Sequence, residues 1–175
     1  MRDLIESVVK APVTRLGLRC LLIMVPVVLL DQATKAWILY GLRLQLQESV
    51  TILPIFSFTL VHNESMSFGL LPHGPFVRWL LTFFQLGAAA VLGYCATKVK
   101  QPLLGLSLGL IAGGALGNAI DRIRFGFVID FVDVSGTHIF PWVFNVADSA
   151  ICIGVALLAW YFLRSDVPAK DKTPA

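Results

Sequence analysis

The sequence predicts an all-α polytopic membrane protein with four transmembrane helices and a small extracytoplasmic β-sheet and loop subdomain. Composition is the first observation: 57% of the 175 residues are hydrophobic and 14% are charged, against about 25% charged in an average soluble domain. The second is a set of four hydrophobic segments, each close to the ~20 residues that a helix needs to cross a bilayer. The third is strand-like alternation of apolar and polar residues in one connecting loop.

The four segments organise the whole chain, 1–175, as a single membrane domain. Because the apolar stretch of the first segment ends without a small-residue cleavage site, we expect a retained span rather than a removed signal peptide. The predicted helices run over about 16–40, 76–97, 103–120 and 144–163. Between and around them lie the predicted loops, 41–75 and 121–143, and the predicted tails, 1–15 and 164–175.

The distribution of Lys and Arg predicts the orientation of these helices. Nine of the 14 basic residues lie in the two tails and the short second loop or at the helix ends beside them, and five lie on the other side. Since cytoplasmic segments carry the excess of positive charge, both termini are expected in the cytoplasm. The basic residues form no stripe with interleaved aromatic residues, so nucleic acid is not an expected partner.

The loop 41–75 contains two stretches with period-2 alternation, LRLQLQ and FSFTLV, which predict short strands. A sheet in this loop would lie on the outer membrane surface and present an apolar face to lipid or to a lipidated ligand. Asn63 is the polar residue nearest the end of the second strand, and it is read either as a turn residue or as a ligand contact.

The third segment contains four glycines spaced four residues apart, Gly105, Gly109, Gly113 and Gly117. This spacing places them on one helix face, which permits close approach of a neighbouring helix. Neither a preceding strand nor the spacing of a phosphate-binding loop is present, so helix packing is the better interpretation.

Carboxylates dominate the chemistry that the outer side can perform. Seven of the eleven acidic residues fall there, and Asp31 and Asp148 have apolar neighbours on both sides, where a charge is costly. The three histidines are dispersed and no zinc-binding or serine-hydrolase motif is present, so we expect neither a metal nor a cofactor. The three cysteines lie in apolar stretches and predict no disulfide.

Asp130, Asp133 and Asp148 supply the candidate acid pair. Two carboxyl groups forced close together cannot both ionise, so one keeps a proton while the other acts as a base, which suits the activation of a water molecule. Spacing alone does not decide which two of these three aspartates form the pair. It also leaves open a polar pore, or an ion pair that holds helices together.

Five motifs in order along nearly the whole chain resemble the bacterial lipoprotein signal peptidases (signal peptidase II). They are DQATK at 31–35, HNESMSFG at 62–69, GGALGNAIDR at 113–122, VIDF at 128–131 and FNVADSA at 144–150. One departure is visible in the loop. The family usually has N-x-G-A-A-F, where this chain has Asn63 followed by Glu64-Ser65-Met66-Ser67 and Phe68.

The resemblance implies an aspartic endopeptidase that removes signal peptides from prolipoproteins at the bond N-terminal to a diacylglyceryl-modified cysteine. The implied catalytic pair is Asp130 and Asp148, with Asp133 a bystander and Asp121 a structural residue with an arginine partner. The implied supporting residues are Asn118, Arg122 and Asn145, which would line the site, Asn63, which would contact substrate, and Asp31 and Lys35, which would hold the first helix at the rim.

The resemblance also implies a place and partners. It implies the bacterial inner membrane, an active site near the extracytoplasmic face, and contact with membrane lipids; a monomer is one of the states that the sequence allows. Two other classes remain open from the residues. One is a four-helix transporter or proton-conducting subunit, and the other is a protein that grips lipoproteins without cleaving them.

Overall fold

The computed structural model describes residues 11–64 and 74–165. Four helices in this part of the chain are long and apolar enough to cross a membrane: Arg15–Gly41, Pro75–Ala96, Pro102–Arg124 and Val146–Arg164. Four short strands form one antiparallel sheet. The predicted fold class is therefore confirmed.

The first span consists of three helical pieces. They are α1 (Arg15–Leu21), α2 (Met24–Ala36) and a π-helical turn (Trp37–Gly41). The other spans are α3 (Pro75–Ala96), α4 (Pro102–Arg124) and α5 (Val146–Ser165). The sheet has the order β1 (Ser49–Leu53), β2 (Phe56–Asn63), β3 (Val128–Asp133) and β4 (Val143–Phe144), with a 3-10 turn at Ser135–Thr137.

Two helix boundaries differ from the sequence-based expectation. The third helix was expected to end at residue 120, but α4 continues to Arg124 and makes residues 121–124 helical rather than part of a loop. The fourth was expected from residue 144, but α5 begins at Val146 because Asn145 caps it from outside. At the end of α4 the polar residues beyond the expected boundary are helical, and at the start of α5 Asn145, which was expected inside the helix, is its cap.

The sheet also differs in its membership. The stretch LRLQLQ is not a strand, because Arg43 and Gln47 have φ angles of 54° and 63°, which an extended chain cannot accommodate. The stretch FSFTLV does form most of β2. The strands β3 and β4 come from the loop between the third and fourth spans, where no strand was expected. The altered residues after Glu64 lie outside the described part of the chain.

Helix α4 occupies the centre of the bundle. In its most apolar stretch of 18 residues, 61% of the residues are buried, against 17% in the corresponding stretches of the first and last spans. The predicted close packing along its glycines is confirmed: a Cβ added at Gly109 would lie 2.7 Å from the backbone oxygen of Cys20, and one at Gly113 would lie 2.9 Å from Cβ of Val27. The first span therefore lies directly against the α4 backbone.

The sheet packs on the end of the first span. Its apolar side and the π-helical turn share one buried cluster: Ile38, Leu44, Leu60, Ile129 and Phe131. The chain passes from α4 into β3 through Gly126, whose φ of +91° is a backbone conformation that favours glycine. This return places β3 beside the end of α4 and the start of α5, which is where the polar residues gather.

Candidate active site

Asp130 is presented by β3 and is only 2% exposed. Its Oδ2 accepts a hydrogen bond from Asn63 Nδ2 at 2.9 Å, and its Oδ1 accepts one from Asn145 Nδ2 at 2.6 Å. The pairing of β2 with β3 sets Asn63 opposite Val128, two residues from Asp130 and therefore on the same side of the sheet. The sheet thus brings the loop asparagine to this carboxyl group.

Asp148 lies in the first turn of α5 and forms a reciprocal cap with Asn145. The backbone N–H of Asp148 donates to Asn145 Oδ1 at 2.9 Å, and the backbone N–H of Asn145 donates to Asp148 Oδ2 at 3.3 Å. This is the geometry of a capping box, which satisfies two otherwise unpaired donors at the helix start. The other carboxylate oxygen, Oδ1, accepts from Asn118 Nδ2 at 2.8 Å.

The two carboxyl groups are joined by carboxamides. Asn145 caps Asp148 through its oxygen, and its Nδ2 donates both to Asp130 Oδ1 and to Asn118 Oδ1, the latter at 3.1 Å. Burial, and then the charge of Asp148, raise the pKa of Asp130 to about 7. Below about pH 7 this site therefore mostly holds a proton on a buried carboxyl group beside a second carboxyl group.

Asp133 does not belong to this network. Three residues beyond Asp130 on the same strand, it lies on the opposite face of the sheet, where its carboxylate accepts from Thr59 Oγ1 at 2.7 Å and from the backbone N–H of Ser135 at 2.9 Å. Burial works against ionisation here, but these hydrogen bonds keep the pKa of Asp133 below its usual value. The structure thus distinguishes the three aspartates that spacing left equivalent.

A buried ion cluster lies behind the pair. Lys35 Nζ is 2.8 Å from Asp31 Oδ2 and 2.7 Å from Asp121 Oδ2, and these three side chains are at most 2% exposed. Buried charges require such pairing. The carboxylates also accept from backbone N–H groups, Asp31 Oδ1 from Ala147 at 3.0 Å and Asp121 Oδ2 from Ile129 at 3.1 Å.

This cluster adds a lysine to the expected partners of Asp121. An arginine partner was expected, and the charge of Arg122 does interact with that of Asp121. Lys35 in addition forms an ion pair with Asp121 and reaches it from the first span. The cluster therefore ties the first span to the start of α5 and to β3, the two elements that carry the acid pair. Gln32, which the sequence analysis did not consider, adds hydrogen bonds to Asp121 Oδ1 at 2.8 Å and Asp31 Oδ2 at 3.2 Å.

Arg122 is the remaining predicted site residue. It is buried, its Nη1 donates to Gln85 Oε1 at 3.0 Å, and its charge interacts with the charges of both Asp130 and Asp148. Gln85 was visible in the sequence as an isolated polar residue in an apolar helix, which was the signal for a buried partner. Among the described residues no group of three or more His, Cys, Asp and Glu could hold a metal ion.

All eight predicted site residues therefore lie at the end of the bundle that carries the sheet. Arg122 adjoins the other seven through its charge. Those seven are linked to one another through direct hydrogen bonds or ion pairs: Asp31, Lys35, Asn63, Asn118, Asp130, Asn145 and Asp148. An ionised carboxyl group beside a protonated one can deprotonate a water molecule and protonate a carbonyl oxygen. The arrangement is thus suited to hydrolysis without a covalent intermediate.

The raised pKa of Asp130 predicts that Asp130→Asn stabilises the protein at alkaline pH. The pKa is about 7 when folded and near 4 when unfolded, so the free energy of unfolding falls as pH rises from about 4 to about 7. Asparagine does not titrate and removes this loss. We expect a gain on the order of 1–4 kcal/mol at pH 8 and much less at pH 5, measured by thermal unfolding in detergent.

The matched control for this prediction is Asp133→Asn on the same strand. Because the pKa of Asp133 is lowered in the folded state, its replacement should destabilise the protein at pH 8 and matter less as the pH falls. The opposite signs separate a titration effect from a general effect of substitution in β3. A change of the same size at pH 5 and pH 8 for Asp130→Asn would contradict the assignment.

Comparison with known proteins gives three concordant findings. A family model described as "Signal peptidase (SPase) II" matches residues 23–164. Lipoprotein signal peptidases from Caulobacter vibrioides and Shewanella halifaxensis are 46% identical over 147 residues and 43% identical over 159 residues. These matches cover 83% and 89% of this chain and 87% and 90% of the relatives.

The fold comparison agrees with the sequence comparison. A solved bacterial membrane enzyme superimposes with a TM-score of 0.78 at 28% identity, covering 94% of this chain and 99% of that one. A second solved bacterial membrane enzyme superimposes with a TM-score of 0.69 at 31% identity, over 83% of this chain and 93% of that one.

Proposed function

Because the chain belongs to the signal peptidase II family, which removes signal peptides from prolipoproteins, we propose that Asp130 and Asp148 carry out this hydrolysis as an aspartic pair sharing one proton. The observation that carries the proposal is the continuous hydrogen-bonded path from Asp130 through Asn145 to Asp148. The cap fixes the start of α5, so the carboxyl group of Asp148 is held in place before substrate arrives.

Each carboxyl group has a distinct role in the proposed reaction. Asp148, ionised at the positive N-terminal end of α5, removes a proton from a water molecule as that water attacks the scissile carbonyl carbon. Asp130, whose pKa is raised to about 7, is protonated in about half of the molecules at pH 7, and in that form it donates its proton to the carbonyl oxygen. The proton taken up by Asp148 then passes to the leaving nitrogen as the C–N bond breaks. Asp130 takes back a proton from a hydroxyl group of the collapsing gem-diol intermediate, so the pair again holds one proton.

The substrate enters, in this proposal, between α3 and α5. Both helices pack on α4 and have little contact with each other, so the outer end of α4 forms the floor of a cleft. Gln85, Arg122 and Asp148 come from the three helices that bound it. A signal peptide helix in this cleft would place its cleavage site, N-terminal to the diacylglyceryl-modified cysteine, at the acid pair.

The surface of the sheet supports a role for lipid as a second partner. Strand β1 and the turn after it expose large apolar side chains: Val50, Ile52, Leu53 and Ile55. Such a patch is suited to a membrane surface or to acyl chains. We propose that this side of the sheet contacts the bilayer and that the diacylglyceryl chains of the substrate remain in lipid beside the site.

The distribution of basic residues supports the orientation of the enzyme. We propose a location in the bacterial inner membrane with both termini in the cytoplasm, which places the acid pair near the extracytoplasmic face. We further propose that the chain acts as a monomer, since the supporting hydrogen bonds to the pair come from its own residues.

The test of the function is cleavage of two matched substrates by the purified protein in detergent. One is a prolipoprotein whose cysteine carries the diacylglyceryl group, and the other is the same chain with an unmodified cysteine. We expect cleavage of the first alone, at the bond N-terminal to the modified cysteine, located by mass spectrometry. Cleavage of both at equal rates would contradict the proposed substrate, and binding without cleavage would favour a protein that only grips lipoproteins.

A further inference from the structure

The side chain of Asn118 lies between the ion cluster and the acid pair. Lys35 Nζ contacts three acceptors: Asp31 Oδ2 at 2.8 Å, Asp121 Oδ2 at 2.7 Å and Asn118 Oδ1 at 3.3 Å. An ammonium group has three protons, so each has an acceptor. The third contact connects a charge on the first span to a residue that touches Asp148.

This contact decides which way the Asn118 carboxamide faces. An ammonium group only donates hydrogen bonds, so the oxygen of Asn118 must face Lys35 and its Nδ2 must face the other way. The hydrogen bond from Asn145 Nδ2 to the same oxygen agrees with this orientation. The consequence is that Asn118 Nδ2 donates to Asp148 Oδ1 at 2.8 Å, a contact that favours an ionised carboxylate.

We propose that Lys35 is a positioning residue for the reaction: acting through Asn118, it keeps Asp148 oriented and ionised as the base. Lys35 does this without touching the reacting atoms. The inference rests on the proposed function, because it assigns how one member of the catalytic pair is prepared. It goes beyond a role in fastening the first span, since it makes catalysis depend on the charge of Lys35 and not only on its packing.

The charges that surround the pair come from α4 and the first span. Helix α4 contributes Arg122, whose charge acts on both carboxyl groups, and the first span contributes Lys35, with Asp31 and Asp121 behind it. The other neighbours are mainly neutral: Asn63 on β2, Gln85 on α3 and Asn145 before α5, with His62 next to Asn63 stacked on Phe127 at 3.8 Å. Within residues 11–64 and 74–165, Lys35 is therefore one of two cations whose charges act on the pair.

The test is a kinetic comparison of wild type with Lys35→Met, using the diacylglyceryl-modified prolipoprotein. Methionine retains most of the volume of lysine and removes the ammonium group. We expect kcat to fall by about 10²-fold, the scale of a small misplacement of a catalytic group, with KM nearly unchanged. Because a nearby positive charge is lost, the acidic limb of the kcat/KM profile should move to higher pH.

Asp121→Asn is the matched control in the same cluster. It removes an ion-pair partner of Lys35 but leaves the contact between Lys35 and Asn118. Since a negative charge is lost, its acidic limb should stay in place or move to lower pH. If the cluster served structure alone, both variants would lose activity in step with their melting temperatures and neither limb would move, and that outcome would overturn the inference.

A second pair of variants keeps the test valid if Lys35→Met does not fold. The double variant Lys35→Met, Asp121→Asn removes one charge of each sign, so the net charge of the cluster is that of wild type, and Asp31 keeps its hydrogen bonds to Ala147 N–H and Gln32. Its reference is Asp121→Asn, which keeps the ion pair of Lys35 with Asp31 and differs from the double variant only at Lys35. The acidic limb should lie at higher pH in the double variant, and coincident limbs would contradict the inference.

The wild-type reaction separates the two levels of the proposal. If wild type does not cleave the modified prolipoprotein, the proposed function fails and the role of Lys35 fails with it. If wild type cleaves but loss of Lys35 moves neither kcat nor the acidic limb, the function stands and the role of Lys35 alone is wrong.

Discussion

Replacement of Asp148 by asparagine should lower the rate of prolipoprotein cleavage by about 10²–10⁴-fold, which is the contribution of a positioned acid or base. Asparagine can still accept the hydrogen bond from the backbone N–H of Asn145, so the start of α5 should be retained. It cannot take a proton from water. Asp130→Asn should have an effect of the same order, because the variant has no proton to give to the carbonyl oxygen.

The control for both variants is Asp133→Asn. Asp133 lies on the same strand as Asp130 but makes its hydrogen bonds to Thr59 and Ser135, away from the pair. We expect its cleavage rate to stay within a few-fold of wild type. Equal losses in all three variants, with lowered melting temperatures, would indicate damage to the sheet rather than removal of catalytic groups.

The second large effect is expected at Gly114, on the face of α4 that contacts α5. A Cβ at this position would overlap the backbone oxygen of Ala147 and would lie 2.7 Å from Ile151 Cγ1. Backbone cannot move aside as a flexible side chain can, so Gly114→Ala should destabilise the protein by about 1–3 kcal/mol. Since Ala147 precedes Asp148, the displaced helix start should also lower kcat by about 10²-fold.

Gly87 on α3 provides the matched control for this substitution. It has the same change in chemistry within a membrane helix, but nothing lies within 4 Å of an added Cβ. We expect Gly87→Ala to leave the melting temperature and the cleavage rate close to those of wild type. A Gly114→Ala protein with wild-type melting temperature and activity would contradict the close contact between α4 and α5.

Much of this architecture could be predicted because its causes are local in the sequence. Length and apolar composition define the four spans, since a bilayer demands about 20 such residues for each. The four-residue spacing of the glycines defines a packing face before any neighbour is known. Asp31 and Asp148 were identifiable as paired or functional because apolar neighbours make an isolated charge costly.

The remaining features depend on contacts between distant parts of the chain. VIDF was read for its carboxylate, although its β-branched and aromatic residues also favour a strand. Its pairing with β2 depends on a segment about 70 residues away. The lysine partner of Asp121 could not be predicted, because Lys35 reaches it from another helix. The cap by Asn145 was missed because the apolar run of α5 concealed the helix start.

The most direct test of the acid pair as the catalytic centre measures binding and cleavage of one substrate by wild type and by Asp148→Asn. The substrate is the diacylglyceryl-modified prolipoprotein, binding is measured as a dissociation constant in detergent, and cleavage is measured by mass spectrometry of the products. We expect the variant to bind within a few-fold of wild type and to release no signal peptide. A variant that still cleaves, or a wild type that binds without cleaving, would contradict the assignment of the acid pair as the catalytic centre.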